Sequence, residues 1–189
     1  MKKYVALAAL MACVPGTAFA QDKPEPKLDG VRVEARIGYE TPTVSGGGSI
    51  YKIGSAVSYG GELGFDLKAG KHVTVGPYAV YEFSSVSLCD STGCIKENGN
   101  LGAGGRLGFI AGDAVIYAKV GYGRISFSGT GSVAGFEAHK DGVQGAIGVD
   151  FNVNKNVYLM IEGNYADYGK LFGTNLQRRQ LAGGLGVRF

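Results

Sequence analysis

Three groups of residues in this chain carry side chains able to do chemistry. Cys89 and Cys94 bracket Asp90-Ser91-Thr92-Gly93. Zinc takes four ligands and no His or further Cys lies nearby, so in an oxidising compartment this pair reads as a disulfide. His139, in Glu137-Ala138-His139-Lys140-Asp141, has Ser126, Ser128 and Ser132 upstream. These are the parts of a Ser-His-acid hydrolase, but a triad is defined by geometry and not by shared presence in one stretch. The third group is a set of charges: Arg32, Glu34, Arg36, Glu40, Glu62, Asp66, Glu82, Arg106, Lys119, Asp150, Glu162, Arg178 and Arg188. Many stand two residues from a like-facing neighbour, the spacing that puts side chains on one face of a strand. The glycine-rich Gly102-Ala103-Gly104-Gly105 lacks the Lys and helix of a phosphate loop. Neither a metal nor a cofactor is expected.

The segments holding these residues alternate polar and apolar side chains, and no window shows the period of an amphipathic helix. Eight runs are predicted as strands: 31–39, 56–67, 72–83, 99–111, 114–125, 143–151, 157–166 and 178–189. In the first, Val31, Val33, Ala35, Ile37 and Tyr39 oppose Arg32, Glu34, Arg36 and Gly38. In the last, Leu181, Leu185, Val187 and Phe189 oppose Gln180, Ala182, Gly184, Gly186 and Arg188. Connections 68–71, 111–113 and 152–156 are short, whereas 41–55, 84–98, 126–142 and 167–177 are long, in strict alternation. Short periplasmic turns and longer external loops are the asymmetry of an outer-membrane β-barrel.

The aromatics agree. Tyr39, Tyr59, Tyr81, Phe83, Tyr122 and Tyr165 fall near the outer strand ends, and Phe65, Phe109, Phe151 and Phe189 near the inner ends. Two interfacial rings are expected of a barrel in lipid; a soluble sandwich alternates too but has no reason for them. The 33 glycines exceed the roughly 13 that ordinary usage of about 7% predicts, as suits strands with tight turns and close backbone approach.

Residues 1–20 read as a secretory signal: Lys2 and Lys3, an apolar run over 4–14, then Ala18-Phe19-Ala20. Cys13 lies inside it in a loose lipoprotein-like setting, and is expected to be discarded with the signal. Cleavage removes two lysines and lowers the formal charge from +3 to +1. That balance, with export, argues against nucleic acid as a partner. Residues 21–29, with Pro24 and Pro26, form a short periplasmic tail, and 30–189 the barrel.

An eight-stranded barrel is just wide enough to be filled by side chains. Charges of both signs confined there must pair, because an unpaired buried charge costs several kcal/mol. A lumen plugged by ion pairs is therefore expected. Alanine and glycine at many inward positions leave small gaps, so a narrow porin passing ions or small solutes is the alternative. A lipid-modifying enzyme using His139 ranks third.

The chain resembles the small outer-membrane β-barrel proteins, porin-like barrels of the OmpA/OmpX type, over essentially its whole mature length. The resemblance is closest to alphaproteobacterial members. It rests on Val31-Arg32-Val33-Glu34-Ala35-Arg36-Ile37-Gly38-Tyr39-Glu40, Gly76-Pro77-Tyr78-Ala79, Tyr117-Ala118-Lys119-Val120-Gly121-Tyr122, Tyr165-Ala166-Asp167-Tyr168-Gly169 and the ending Gly184-Leu185-Gly186-Val187-Arg188-Phe189. A loop cysteine pair like Cys89 and Cys94 is also similar to that group. The resemblance implies that Leu185, Val187 and Phe189 form the signal read by the barrel-insertion machinery. It also implies outer-membrane lipid and lipopolysaccharide as surroundings. The expected role is structural or surface-interacting and not enzymatic, with any ligand met by the long loops.

Overall fold

The computed structural model describes residues 25–46, 49–52, 54–89, 91–171 and 174–189. The expected signal segment 1–20, with Cys13, and residues 21–24 of the tail lie outside the described residues. Eight strands form the wall: β1 (Gly30–Gly46), β3 (Ala56–Lys68), β4 (Val73–Ser84), β6 (Gly93–Ala111), β7 (Ala114–Gly131), β8 (Glu137–Asn152), β9 (Val157–Leu171) and β10 (Thr174–Arg188). Two short strands, β2 (Ser49–Lys52) and β5 (Ser87–Cys89), hang from β1 and β6.

Each wall strand pairs antiparallel with its neighbour, and β10 returns to β1 over Arg32↔Arg188 to Ser45↔Asn175. The sheet is closed, as an eight-stranded up-and-down barrel must be, so the wall has no unpaired edge to satisfy in lipid. The register holds the predicted faces. Val31, Ile37, Leu63, Leu107, Val120, Leu159 and Leu185 are exposed on the outside, while Arg32, Glu62, Arg106, Asp150 and Glu162 are buried within. Both aromatic rings face outward. Within the outer ring, Phe83 stacks on Tyr59 at 5.5 Å between centroids and meets Tyr81 edge-on at 4.9 Å. At the inner end His72 stacks on Phe109 at 6.1 Å. The turn at Gly112 needs a left-handed residue, and its φ of 62° is one that glycine adopts without strain.

The long connections differ from expectation. Strands of up to 19 residues exceed the roughly nine to eleven that a tilted strand needs to cross a bilayer. The surplus lies beyond the outer ring, so much of 41–55, 84–98, 126–142 and 167–177 is hairpin and not loop. The cause is a reversal of pattern. Past the ring, Arg124, Ser126 and Ser128 of β7 face outward, while Ile125 and Phe127 turn inward and are buried. Beyond lipid β7 is apolar within and polar without, so no lipid-facing stripe marks that part of the strand.

The tail is tied down more firmly than a free extended segment. The Lys27 N–H donates to the Lys155 carbonyl at 2.7 Å, and Leu28 is buried at the inner mouth.

Candidate functional site

The lumen is built in layers, each placed by the two-residue period of the strands lining it. Nearest the inner mouth, Arg106 donates to Asp66 at 2.8 Å and to Asp150 at 2.5 Å. Arg188 shares Asp150 at 2.5 Å, and the Arg32 Nε lies 3.3 Å from Asp66. The guanidinium of Arg106 sits 4.0 Å above the Tyr117 ring and that of Arg188 4.2 Å above Tyr158. Such stacking lets desolvated cations keep a favourable neighbour on the face that no carboxylate reaches.

The middle layer centres on Glu62 and Arg36. Glu62 accepts from Arg32 at 2.9 Å and from both Arg36 and Lys119 at 2.7 Å. Arg36 also donates to Glu82 at 2.9 Å and to Glu162, and Lys119 reaches Glu162 at 2.5 Å. Glu34 is held by Arg32 and by the Tyr158 hydroxyl at 2.8 Å. Above it, Arg178 bridges Glu40 at 2.6 Å and Glu82 at 2.8 Å, and Gln180 ties Ser58 to Glu82. All thirteen charged residues assigned to the lumen from the sequence, Glu40 among them, are buried.

Several inward glycines leave no gap, because a neighbouring side chain fills the space. A Cβ on Gly186 would stand 2.1 Å from Tyr158 and one on Gly148 2.5 Å from Tyr117. The small residues make room for tyrosines lying across the bore. A polar cavity of about 20 Å³ lies among Arg36, Glu62, Glu82, Lys119, Glu162 and Arg178, beside Ala146 and Ala166. That is space for about one water molecule.

Two features were not read from the sequence. An apolar layer of Ile125, Phe127, Ala166, Tyr168 and Leu176 packs inside the barrel beyond the outer ring, and the Tyr168 hydroxyl donates to Asn100 below it at 2.7 Å. Beside it lies Glu97, buried, with neither carboxylate oxygen hydrogen-bonded among the described residues. Ser84 gives its hydroxyl to Glu40 instead. Glu97 reaches the interior because the β6–β7 register slips between Glu97 and Gly99. Such a bulge exchanges the two faces of a strand. Gly99 pairs with Phe83 of the outer ring, so Glu97 stands just beyond the membrane-spanning segment. Burial first, then the negative charge of Glu40 and Glu82 against only partial relief from Arg178 and the nearby Ser84 hydroxyl, pushes its carboxyl up to about 8. The charge balance agrees. Among the described residues eight carboxylates but only six cations are buried.

Cys89 and Cys94 face one another across β5 and β6 and form a disulfide that pins the tip of the second external hairpin. Ser126 and His139 also meet, Oγ to Nδ1 at 3.0 Å on the outer face. The neighbouring acid Asp141 accepts from Nε and Nη2 of Arg124, at 2.6 and 3.1 Å, in an exposed pair. The pair is thus a dyad whose adjacent acid is engaged elsewhere. Ser128 instead donates to Asn98 at 2.8 Å. Leu185 and Phe189 stand exposed on the outside of β10, with Val187 on the same face between them, and the Phe189 N–H donates to the Val31 carbonyl at 2.9 Å.

Residues 5–189 match the family described as outer membrane protein beta-barrel domain. The barrel is similar to the crystal structure of Ail, the attachment invasion locus protein of Yersinia pestis, at 18% identity. That match covers 85% of this chain and 99% of that one, with a TM-score of 0.53. It is also similar to Neisserial surface protein A, at 16% identity over 83% of this chain and 97% of that one, with a TM-score of 0.55. Identities this low speak for the shared fold. No curated protein matches the sequence.

Proposed function

The chain belongs to the outer membrane protein β-barrel family and is an integral protein of the outer membrane, and from this premise we propose that it is a non-conducting barrel of alphaproteobacterial type whose role is structural or surface-interacting. The observation that carries this reading is the lumen: three tiers of ion pairs spanning the bore beneath an apolar layer. An ion crossing it would have to displace side chains that hold one another, each at the cost of leaving a buried charge unpaired. Contact with other molecules then falls to the hairpins beyond the outer ring, which expose Tyr51, Ile95 and Val133 among polar side chains and whose second tip is cross-linked.

Planar-bilayer recording tests the seal. The wild-type chain is expected to give no steady openings; openings of defined size would establish the narrow-porin alternative. The non-enzymatic reading is supported by the engagement of Asp141 with Arg124. His139→Ala is expected to leave the acylation pattern of the outer-membrane glycolipid unchanged by mass spectrometry, whereas a changed pattern would make the Ser126–His139 dyad catalytic.

We assign the assembly signal to Leu185, Val187 and Phe189, on the resemblance of the ending and their outward placement. Deleting Phe189 is expected to lower the amount inserted into outer membranes several-fold. The barrel refolded in detergent should lose only about 1 kcal/mol, the net worth of the one backbone hydrogen bond removed. Equal insertion of both chains would remove the assignment.

A further inference from the structure

The lipid face is not uniformly filled. A groove of about 810 Å³ runs across β7, β8, β9 and β10 to β1 in the outer half of the wall. Its floor is Ala118, Gly145 and Gly163, and its sides are Ile147 and Leu181. Those two side chains stand 72% and 65% exposed, because Ile147 lies between Ala118 and Gly163 in register and Leu181 beside Gly163. The floor glycines differ from those of the lumen. A Cβ on Gly163 would meet no atom within 4 Å, and one on Gly145 only a carbonyl oxygen at 3.5 Å. Neither glycine has a positive φ. Backbone geometry and protein packing therefore leave both positions open to larger residues, and what the glycines provide is the hollow itself.

The upper end of the groove is of a different character. Arg179 faces outward there, paired in register with Thr41 on one side and with Tyr165 of the outer aromatic ring on the other. It makes no ion pair among the described residues. The carboxylate nearest to it along β9, Asp167, already accepts from the Gly169 N–H at 2.8 Å and from the Asn175 amide at 3.0 Å. An unpaired guanidinium at the interfacial ring, directly above an apolar hollow on the lipid face, matches one chemistry: a phosphate with an acyl chain below it. Arg presents donors in a fork that fits phosphate, and its cation adds attraction to an anionic headgroup.

We propose that this groove is a binding site for one molecule of the phosphorylated glycolipid of the outer leaflet, an acyl chain lying over Gly163 and Gly145 and a phosphate held by Arg179. The site goes beyond the sealed-lumen reading and does not depend on it, since every residue concerned faces away from the bore.

The test is native mass spectrometry of the full chain extracted from outer membranes in a mild non-ionic detergent. Heat-modifiable gel mobility confirms that each variant is a folded barrel. The wild type is expected to carry one phosphorylated glycolipid. Gly163→Leu, which fills the hollow, and Arg179→Ala, which removes the cation, should each lower the lipid-bound fraction about tenfold, while Arg179→Lys retains an intermediate fraction. Undiminished lipid on the Gly163→Leu variant would overturn the groove as the seat. Loss with Gly163→Leu but none with Arg179→Ala would overturn the anionic headgroup. A lipid-free wild-type dimer that Gly163→Leu converts to monomer would replace the lipid with a second copy of this chain.

Discussion

Replacing Arg36 by methionine is expected to destabilise the barrel by about 3–5 kcal/mol, the cost of removing one partner from a buried ion cluster. Arg36 alone contacts Glu62, Glu82 and Glu162, contributed by three different strands. Methionine keeps much of the stem's volume, so the loss reports charge left uncompensated more than a cavity. Urea titration of folded against unfolded protein in detergent micelles measures it. Adding Glu162→Gln should recover part of the loss by removing one stranded carboxylate, and the departure from additivity reads the coupling directly. A cost below about 1 kcal/mol, the range of a surface pair, would mean that water reaches the network and would count against a sealed lumen.

The second large effect depends on pH. The Glu97 carboxyl is pushed from 4.5 up to about 8 in the folded barrel. Between those values the folded state holds a proton that the unfolded chain has released, so stability falls as pH rises. It is greatest below the unfolded value and is lost once pH has passed the folded one. With each pH unit worth about 1.4 kcal/mol, the window amounts to several kcal/mol. Glu97→Gln, neutral throughout, is expected to match the wild type near pH 4 and to exceed it by that margin above pH 8. Unfolding midpoints at pH 5, 7 and 9 measure the difference. Parallel profiles for the two proteins would show that Glu97 finds a cation or water that neutralises it.

Most of the transmembrane wall is legible in the sequence. Alternation over 31–39 or 178–189 gives an inside and an outside, and the two rings of aromatics give the levels at which lipid ends. Lumen membership of Arg32, Arg36, Arg106 and Arg188 follows from parity alone. The same logic failed beyond the outer ring. There the solvent is water, and the inward residues Ile125, Phe127 and Leu176 become the apolar ones, the inverse of the pattern lower down. A stretch that changes sign midway reads as irregular, although its backbone continues as strand. Cys89 and Cys94 lie in that region yet were recognisable, because cysteine chemistry depends on compartment and not on strand phase.

By itself the sequence determined the fold and which side chains of the transmembrane wall enter the bore, because a period of two in a closed antiparallel sheet leaves each residue only two directions. It did not determine which partners meet. That Glu62 gathers Arg32, Arg36 and Lys119, or that Arg178 joins Glu40 to Glu82, depends on the relative stagger of strands far apart in the chain. Nor did it reveal Glu97. Counted by parity from Leu101, that residue belongs on the outer face, and one slipped pairing between Glu97 and Gly99 turns it inward. Only the tertiary structure decides such a slip, because its cost and its reward are both set by the neighbouring strands.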